Sequence, residues 1–207
     1  MSGSNSKNNK SDKRVRIIDA AVSVFAQKGY HLSRVSDIAK VAGVADGTIY
    51  LYFRNKEDVL LSIFEEKMGI LLAEMRKALQ DTNDPLEKIR IYVHQHFIQL
   101  QKHPDIAKVL QVELRQSQQF INEYRPEKLW EYLEILGDTI REGQDLGVIR
   151  QDVDPFLLQW SLFGALDELA IQWVVARKRE RFNLTQAANQ VTEIFIYGLT
   201  TTIKTGE

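Results

Sequence analysis

The chain has 207 residues, a formal net charge of −1 and no cysteine. This length is sufficient for a buried core in one or two domains, and the lack of cysteine excludes disulfides and thiolate metal sites. No apolar run approaches the roughly 20 residues of a membrane span, and no signal peptide precedes the first predicted helix, so we expect a cytoplasmic protein with no membrane contact.

Charge is distributed unevenly along the chain. Residues 1–58 contain 10 Lys and Arg against 6 Asp and Glu, a net +4, whereas residues 59–207 contain 17 against 22, a net −5. A basic amino-terminal part concentrates the attraction to phosphate at one end of the molecule. Chance unevenness is the alternative explanation.

The amino-terminal residues lead into a first predicted helix. Residues 1–12 are rich in Ser, Asn and Lys and are expected to be a disordered tail. A helix is predicted over 13–28, with Ile18, Val22 and Phe25 on its inner face and Gly29 as its stop.

A helix-turn-helix is predicted next. Val35, Ile38, Ala39 and Ala42 follow the i, i+3, i+4, i+7 spacing of one apolar helix face. Gly43 provides a left-handed turn, and a second short helix is predicted over 46–52. Two short helices joined by a tight glycine turn are typical of a DNA-binding motif.

The remaining chain is predicted to be helical, so the fold class is all-α with about nine helices. Asn55 with Asp58, Asp84 before Pro85, Asp154 before Pro155, and Asn183 are helix-start signals. Further helices are predicted up to residue 79 and over 85–102, 104–115, 126–146, 155–176 and 184–203.

The string GVADGTIYLYFRNKEDVL, residues 43–60, resembles the signature of TetR-type transcriptional repressors. This resemblance implies a dimer with a three-helix DNA-binding head over 13–56 and a ligand-binding and dimerisation body over 57–207. The strings GVADGTIYLYF and QVELRQS are also similar to the acyl-CoA-responsive repressors of fatty-acid degradation in bacilli. We therefore expect a repressor of fatty-acid degradation genes that binds a palindromic operator and is released by long-chain acyl-CoA.

The resemblance also implies which residues contact DNA. They are Arg34, Ser36, Ala45, Asp46, Gly47, Thr48, Tyr50, Tyr52 and Lys56. Ser36 and Thr48 would bond phosphates, and Gly47 would let the backbone approach the duplex. Tyr50 would place its ring against a thymine methyl or its hydroxyl on a phosphate. Tyr52 and Lys56 would clamp the flanking backbone, and Arg34 would reach a base edge or a phosphate.

One position departs from the family pattern. Ala45 stands where the family usually has Ser or Thr, and a missing cap hydroxyl typically costs about 1 kcal/mol. Asp46 in the first turn restores part of this through the helix dipole. Its charge faces phosphate unless it accepts from a cytosine amine, so we hypothesise that Asp46 contributes to sequence choice.

The body offers candidate effector contacts. They are Arg90, His96, Phe97, Leu100, Val112, Arg115, Leu133, Leu136, Phe163 and Asp167. The apolar members fit an acyl tunnel, but an ordinary helical core needs the same residues. Arg115 either pairs with Glu113 or Asp167, or meets CoA phosphates together with Arg90 or His96. Asp167 either satisfies polar groups near a tunnel or lies at the dimer seam.

The last two helices are predicted to pair with their copies in a second chain. The candidate interface residues are Leu157, Trp160, Gly164, Ile171, Val191, Phe195 and Leu199. Helices that are apolar over a wide arc are buried on more than one side, either within one chain or in a four-helix interface, where Gly164 would permit close approach.

Two other functions are weighed against the leading prediction. A multidrug sensor controlling an efflux pump keeps the same DNA-binding head. An α-helical enzyme is disfavoured, since the sequence contains no nucleophile motif or phosphate loop. His94 and His96 are two positions apart and point to different helix faces, so no metal site and no cofactor are expected.

Overall fold

The structure, a computed structural model, describes residues 3–117, 120, 124–177 and 180–200. Over these residues the chain forms nine α-helices and no β-strand, which confirms the all-α prediction. The helices are α1 (Gly3–Lys28), α2 (Val35–Ala42), α3 (Asp46–Ile49), α4 (Lys56–Leu79), α5 (Pro85–Lys102), α6 (Pro104–Lys108), α7 (Glu127–Asp145), α8 (Pro155–Val175) and α9 (Leu184–Leu199). A π-helical turn, Val109–Glu113, and a 3-10 turn, Leu114–Gln116, follow α6.

Helix starts follow the capping signals in the sequence. The side chains of Asp84, Asp154 and Asn183 each accept a backbone N–H from the first turn of α5, α8 and α9. At the start of α4, Asn55 Oδ1 accepts from the N–H of Asp58 at 2.8 Å. These acceptors satisfy N–H groups that have no partner within the helix, so the predicted caps are confirmed.

Two helices differ from their predicted extents. α1 begins at Gly3, so the expected disordered tail is helical from residue 3 onwards. Once the buried turns around Ile17 and Ile18 have formed, each added residue gains a hydrogen bond at little cost. The helix predicted over 104–115 is α-helical only to Lys108 and continues as the π-helical and 3-10 turns. The predicted end of the last helix, at 203, lies outside the described residues.

The chain divides into two compact units. The head unit contains the described residues of 1–67 and 105–125, and the body unit contains those of 68–104 and 126–207. The head unit therefore extends beyond the predicted boundary at residue 56, because the first turns of α4 bury Val59, Leu60 and Ile63. It also includes a segment, residues 105–117, that was predicted to belong to the body.

Candidate DNA-binding surface and effector site

The helices α2 and α3 form the predicted helix-turn-helix. Ile38 and Ala39 of α2 and Ile49 of α3 are buried and hold both helices on the core of the head unit. Gly43 ends α2 with a φ of 66°, which costs glycine little because it has no Cβ. The N–H of Val44 donates to the carbonyl of Ala39 at 3.0 Å, and this bond closes the turn.

Hydroxyl groups lie on the outer side of this motif. Ser36 is exposed, Thr48 and Tyr52 are partly exposed, and Tyr50 is 58 % exposed. Hydroxyl groups are donors to phosphate oxygens. Leu51, which was not predicted as a DNA contact, is also exposed beside Tyr50. The surface therefore combines phosphate donors with an apolar side chain.

The start of α3 is exposed and has no capping side chain. Ala45 makes no side-chain cap, in agreement with its missing hydroxyl, and Asp46 is exposed in the first turn. A Cβ built on Gly47 meets nothing within 4 Å. The backbone at Gly47 is therefore accessible to a large ligand.

The start of α2 is fixed by a carboxylate. Asp37 Oδ2 accepts from the N–H of Arg34 at 2.9 Å, and Asp37 Oδ1 lies 2.6 Å from Lys28 Nζ. The hydrogen bond from Lys28 lowers the pKa of Asp37 below its usual value, with a further contribution from the Arg34 N–H. Arg34 is thereby held at the exposed end of α2.

Lys56 has a different environment from the predicted phosphate clamp. Its Nζ lies 2.7 Å from the carbonyl oxygen of Tyr30, 3.0 Å from that of Ser33 and 3.4 Å from that of His31. It also lies 4.3 Å from the centroid of the Tyr30 ring. An ammonium group has three protons to donate, and these carbonyls account for all three. Burial lowers the pKa of Lys56. Lys56 therefore ties α4 to the loop between α1 and α2.

Replacing Lys56 by Met is expected to lower the free energy of unfolding by about 1–2 kcal/mol. Hydrogen bonds from a charged group contribute roughly 1.5–3 kcal/mol, and partial exposure reduces this. Urea denaturation measures the change. Lys77→Met, at an exposed position near the other end of α4, is the control and should change stability by less than about 0.5 kcal/mol. Equal effects of the two variants would contradict the assignment.

Aromatic side chains from three helices meet in the body unit. This aromatic cluster consists of Tyr92, His96 and Phe97 of α5, Tyr132 of α7, and Trp160 and Phe163 of α8. The ring centroids of Tyr92 and Tyr132 are 4.9 Å apart, and those of Trp160 and Phe163 are 6.2 Å apart. The Tyr132 hydroxyl lies 3.0 Å from His96 Nδ1. Apolar surroundings with a few fixed polar groups are typical of small-molecule sites.

His96 is uncharged at neutral pH. Burial lowers the pKa of His96 to about 4, while the negative charge of Asp167 acts in the opposite direction. Burial also raises the pKa of Tyr132, so its hydroxyl keeps its proton. The pair therefore presents a neutral imidazole bonded to a neutral phenol.

Protonation of His96 is expected to make stability depend on pH. The unfolded chain binds a proton near pH 6.5 and the folded chain only near pH 4, so this contribution is present above pH 6.5 and is lost as the pH falls towards 4. Between pH 7 and 5 the wild type should lose about 1–2 kcal/mol more than His96→Leu. Urea denaturation at pH 7, 6 and 5 tests this, with His94→Leu as the variant that keeps the pH dependence. If the free energies of unfolding of the wild type and His96→Leu change in parallel with pH, this contribution of His96 is excluded.

Four of the predicted effector contacts are core residues. They are Phe97, Leu100, Leu133 and Leu136, which are all buried by protein atoms. The alternative of an ordinary helical core accounts for them without a ligand. Arg90 is exposed and pairs with Glu87 on its own helix, with 3.2 Å between Nε and Oε2. It is not part of the aromatic cluster.

The other predicted effector residues fall into two groups. His96, Phe163 and Asp167 come together in the body unit, with ring centroids of His96 and Phe163 6.4 Å apart. All three keep partial exposure. Val112 and Arg115 belong to the head unit, where Arg115 is exposed.

Two buried polar atoms on α8 stand out. Gln159 Oε1 and Trp160 Nε1 have no hydrogen-bond partner among the described residues. Trp160 was predicted to lie at the dimer interface, and neither Gln159 nor Tyr132 was predicted to be a site residue. Nothing in their spacing signalled a site, because their neighbours come from other helices.

Exposed apolar residues mark one side of α8 and α9. Leu157 is 63 % exposed and Tyr197 is 83 % exposed, and Ile194 and Gly164 are also exposed. A Cβ built on Gly164 meets nothing within 4 Å. This side is available to a second copy of the chain.

The opposite side of α9 faces its own protomer. Val191 and Leu199, both predicted interface residues, are buried because α9 packs against α5. They therefore belong to the core. Ile171 and Phe195 keep partial exposure and remain candidate interface residues.

The part of the chain that the structure describes lacks two kinds of feature. It contains no group of three His, Cys, Asp or Glu side chains arranged for a metal ion. It also contains no helix that is long and apolar enough to cross a membrane.

Comparison with known proteins identifies both parts of the chain. Residues 17–63 match the family described as bacterial regulatory proteins, tetR family, and residues 64–198 match the C-terminal region of YsiA-like protein. The fatty acid metabolism regulator protein of Bacillus subtilis is 42 % identical over 190 residues, which cover 92 % of this chain and 97 % of that protein.

Two solved structures are similar over most of their length. The fatty acid degradation regulator FadR from Bacillus halodurans has 44 % identity and a TM-score of 0.83, covering 90 % of this chain and 95 % of that one. FadR from Bacillus subtilis, in complex with stearoyl-CoA, has 42 % identity and a TM-score of 0.80, covering 89 % and 98 %. The chain belongs to the tetR family of bacterial regulatory proteins, with a C-terminal region of the YsiA-like type.

Proposed function

We propose that the chain is a dimeric transcriptional repressor that binds a palindromic operator, is released by a long-chain acyl-CoA and controls fatty-acid degradation genes. The observation that carries this proposal is the 42 % identity, over nearly the full length of both chains, to the fatty acid metabolism regulator of Bacillus subtilis. The structural match to a FadR bound to stearoyl-CoA supports the choice of effector.

DNA binding is assigned to the outer side of α2 and α3. Ser36, Thr48 and Tyr52 would donate to phosphates, and Gly47 would allow the backbone to approach them. Tyr50 and Leu51 would contact base edges, where an apolar side chain recognises the thymine methyl. Two copies of the head would then occupy half-sites roughly 34–36 Å apart.

Effector binding is assigned to the aromatic cluster of the body unit. A saturated acyl chain gains from apolar surroundings, in proportion to the area removed from water. The thioester and amide groups of an acyl-CoA contain carbonyl oxygens, which would accept from a donor such as Trp160 Nε1. The effector would release the operator by favouring a conformer whose heads do not match the half-site spacing.

Operator release by defined ligands tests the proposal. An operator is first selected from a random duplex library, and its release is then followed by fluorescence anisotropy. Stearoyl-CoA should raise the apparent Kd for the operator, whereas CoA, stearate and a cationic dye at the same concentration should not. Release by the dye instead would favour a drug sensor, and no release by stearoyl-CoA would refute the proposed effector.

Replacing Arg115 by Ala is expected to weaken the response to stearoyl-CoA by about tenfold, because a guanidinium is suited to bind CoA phosphates. Operator affinity without effector should change by less than about twofold. Titration of stearoyl-CoA against the protein–operator complex measures the effect, with Arg76→Ala as a control at another exposed arginine. Loss of operator binding with normal effector affinity would contradict this role.

The proposed regulator acts in the cytoplasm, where operator DNA and acyl-CoA are both available, and it turns over no substrate. Stearoyl-CoA incubated with the protein should therefore be recovered intact by mass spectrometry. The effector is the only small molecule that this proposal requires.

A further inference from the structure

A buried carboxylate lies in the head unit on the segment 105–117, which contains most of α6 and the two turns after it. Glu113 is only 5 % exposed, and its Oε2 accepts from the backbone N–H of Tyr30 at 2.7 Å. Burial of a carboxylate is costly unless hydrogen bonds compensate for the lost water. The bond to Tyr30 joins two parts of the chain that are 83 positions apart.

The partner of Glu113 lies at the turn between α1 and α2. Gly29 ends α1 with a φ of 79°, and a Cβ built on it would lie 3.6 Å from Glu113 Oε2. The Glu113 carboxylate therefore packs directly against the turn at Gly29. The carbonyl of Tyr30 accepts from Lys56 Nζ at 2.7 Å. The N–H of Tyr30 is thus held by the segment after α6, and its carbonyl is held by α4.

The same loop leads into the start of α2. The hydroxyl of Ser33 donates to the carbonyl of Gly29 at 2.6 Å, and the carbonyl of Ser33 accepts from Lys56. Arg34 and Ser36, two of the predicted DNA contacts, follow immediately. A displacement of the turn at Gly29 would therefore also displace the start of α2, where these predicted DNA contacts lie.

The segment that carries Glu113 is attached to the head unit at further points. Lys108 Nζ donates to the carbonyl of Ala26 in α1, and the Ser117 hydroxyl donates to Glu57 at the start of α4. Val109 is fully buried. The segment therefore bridges α1 and α4, with Glu113 between the two attachments.

Glu113 is the last residue of the π-helical turn Val109–Glu113. Such a turn contains one residue more than the α-helix and is often found at functional sites. If the extra residue of the turn moved from before Glu113 to after it, the Glu113 side chain would rotate about the helix axis by roughly 100°. That rotation would break the bond to Tyr30 without unfolding the segment.

We propose that Glu113 is a positioning residue for DNA binding. It holds the loop between α1 and α2 in the operator-binding conformation, and the effector releases the operator by moving Glu113 away from this loop. The second part rests on the proposed function. The segment 105–117 begins three residues after the end of α5, the helix that carries His96 of the aromatic cluster. An effector that shifts the end of α5 therefore acts on a covalently continuous segment.

The test measures operator affinity with and without stearoyl-CoA for Glu113→Ala, Glu113→Gln and Asp105→Ala, an exposed carboxylate on the same segment. Glu113→Ala should weaken operator binding in the absence of effector by at least about tenfold. It should also reduce the ratio of the two operator Kd values by a similar factor. Glu113→Gln should have an operator affinity and a Kd ratio between those of the wild type and Glu113→Ala, because its amide oxygen still accepts from the N–H of Tyr30. Asp105→Ala should match the wild type.

Direct binding of stearoyl-CoA to the DNA-free variants separates positioning from general damage. Its affinity should stay equal or become tighter, since loss of the operator-binding conformation favours the effector-bound one. Weaker stearoyl-CoA binding in parallel with weaker operator binding would overturn the proposal. If Glu113→Ala does not fold, a wild-type Kd ratio in Glu113→Gln overturns it, and a ratio reduced at least about threefold supports it.

Failure of this inference is distinguishable from failure of the proposed function. If stearoyl-CoA does not release the wild type, the effector assignment fails, and the operator affinities without effector still decide the positioning role. If the wild type is released and folded Glu113 variants behave identically, the inference alone is refuted.

Discussion

Gly47→Glu is expected to weaken operator binding by at least about 100-fold, or roughly 2.7 kcal/mol. The protomer accommodates the side chain, because a Cβ at Gly47 meets nothing within 4 Å. A carboxylate there would face phosphates at the point where the backbone is proposed to approach them, and opposed like charges at an interface cost several kcal/mol. The dimer carries the substitution twice. Fluorescence anisotropy with the selected operator measures the loss.

Two controls separate charge at the DNA surface from a general effect of the substitution. Gly47→Ala adds only a methyl group and should weaken binding much less than Gly47→Glu. Gly69→Glu places the same side chain on α4, where a Cβ is also unobstructed, and should leave operator affinity unchanged. None of the three variants should unfold at a lower urea concentration than the wild type, because Ala and Glu are both better helix formers than Gly. Operator affinity retained by Gly47→Glu within about threefold would show that α3 does not approach the duplex.

The parts of the fold that the sequence predicts well depend on local contacts. The turn at Gly43 is closed by a bond between Val44 and Ala39, five positions apart. The caps Asp84 and Asn183 accept N–H groups two and three residues further along the chain. Because the partners of each bond lie within five residues of each other in the chain, their residue types reveal the structure directly.

The assignments that changed depend on distant partners. Lys56 resembles a phosphate ligand in sequence, yet its ammonium bonds to carbonyls 23–26 positions earlier. Glu113 and Tyr30 are further apart still. Backbone carbonyls and N–H groups occur at every residue, so no residue pattern indicates which of them a distant side chain will reach. The π-helical turn at Val109–Glu113 also lacks a glycine or proline signal.

The sequence also leaves open which side of α9 faces a second chain. Val191, Ile194 and Tyr197 are all apolar or aromatic and lie close together on the helix, but only Val191 is buried in the protomer. A wide apolar arc shows that two sides are covered. Packing against α5 decides which side is internal, and that information requires the tertiary structure.

Gly164→Arg is expected to dissociate the dimer and thereby to weaken operator binding by at least about 100-fold. Gly164 lies on the exposed side of α8, and a Cβ there meets nothing within 4 Å, so the protomer should remain folded. In a two-fold interface the same patch meets its copy, which would bring two guanidinium groups together where close approach is needed. Sedimentation equilibrium should give the mass of one 23.9 kDa chain instead of two.

Gly69→Arg is the matched control for this prediction, since its Cβ is also unobstructed but it lies on α4. It should remain a dimer with normal operator affinity. The two variants should bind stearoyl-CoA equally, provided that each protomer holds its own effector. A dimeric Gly164→Arg with full operator affinity would place the interface away from this side of α8. A monomeric variant with full affinity would instead show that one head suffices, because the loss of DNA binding is expected only if both half-sites must be occupied together.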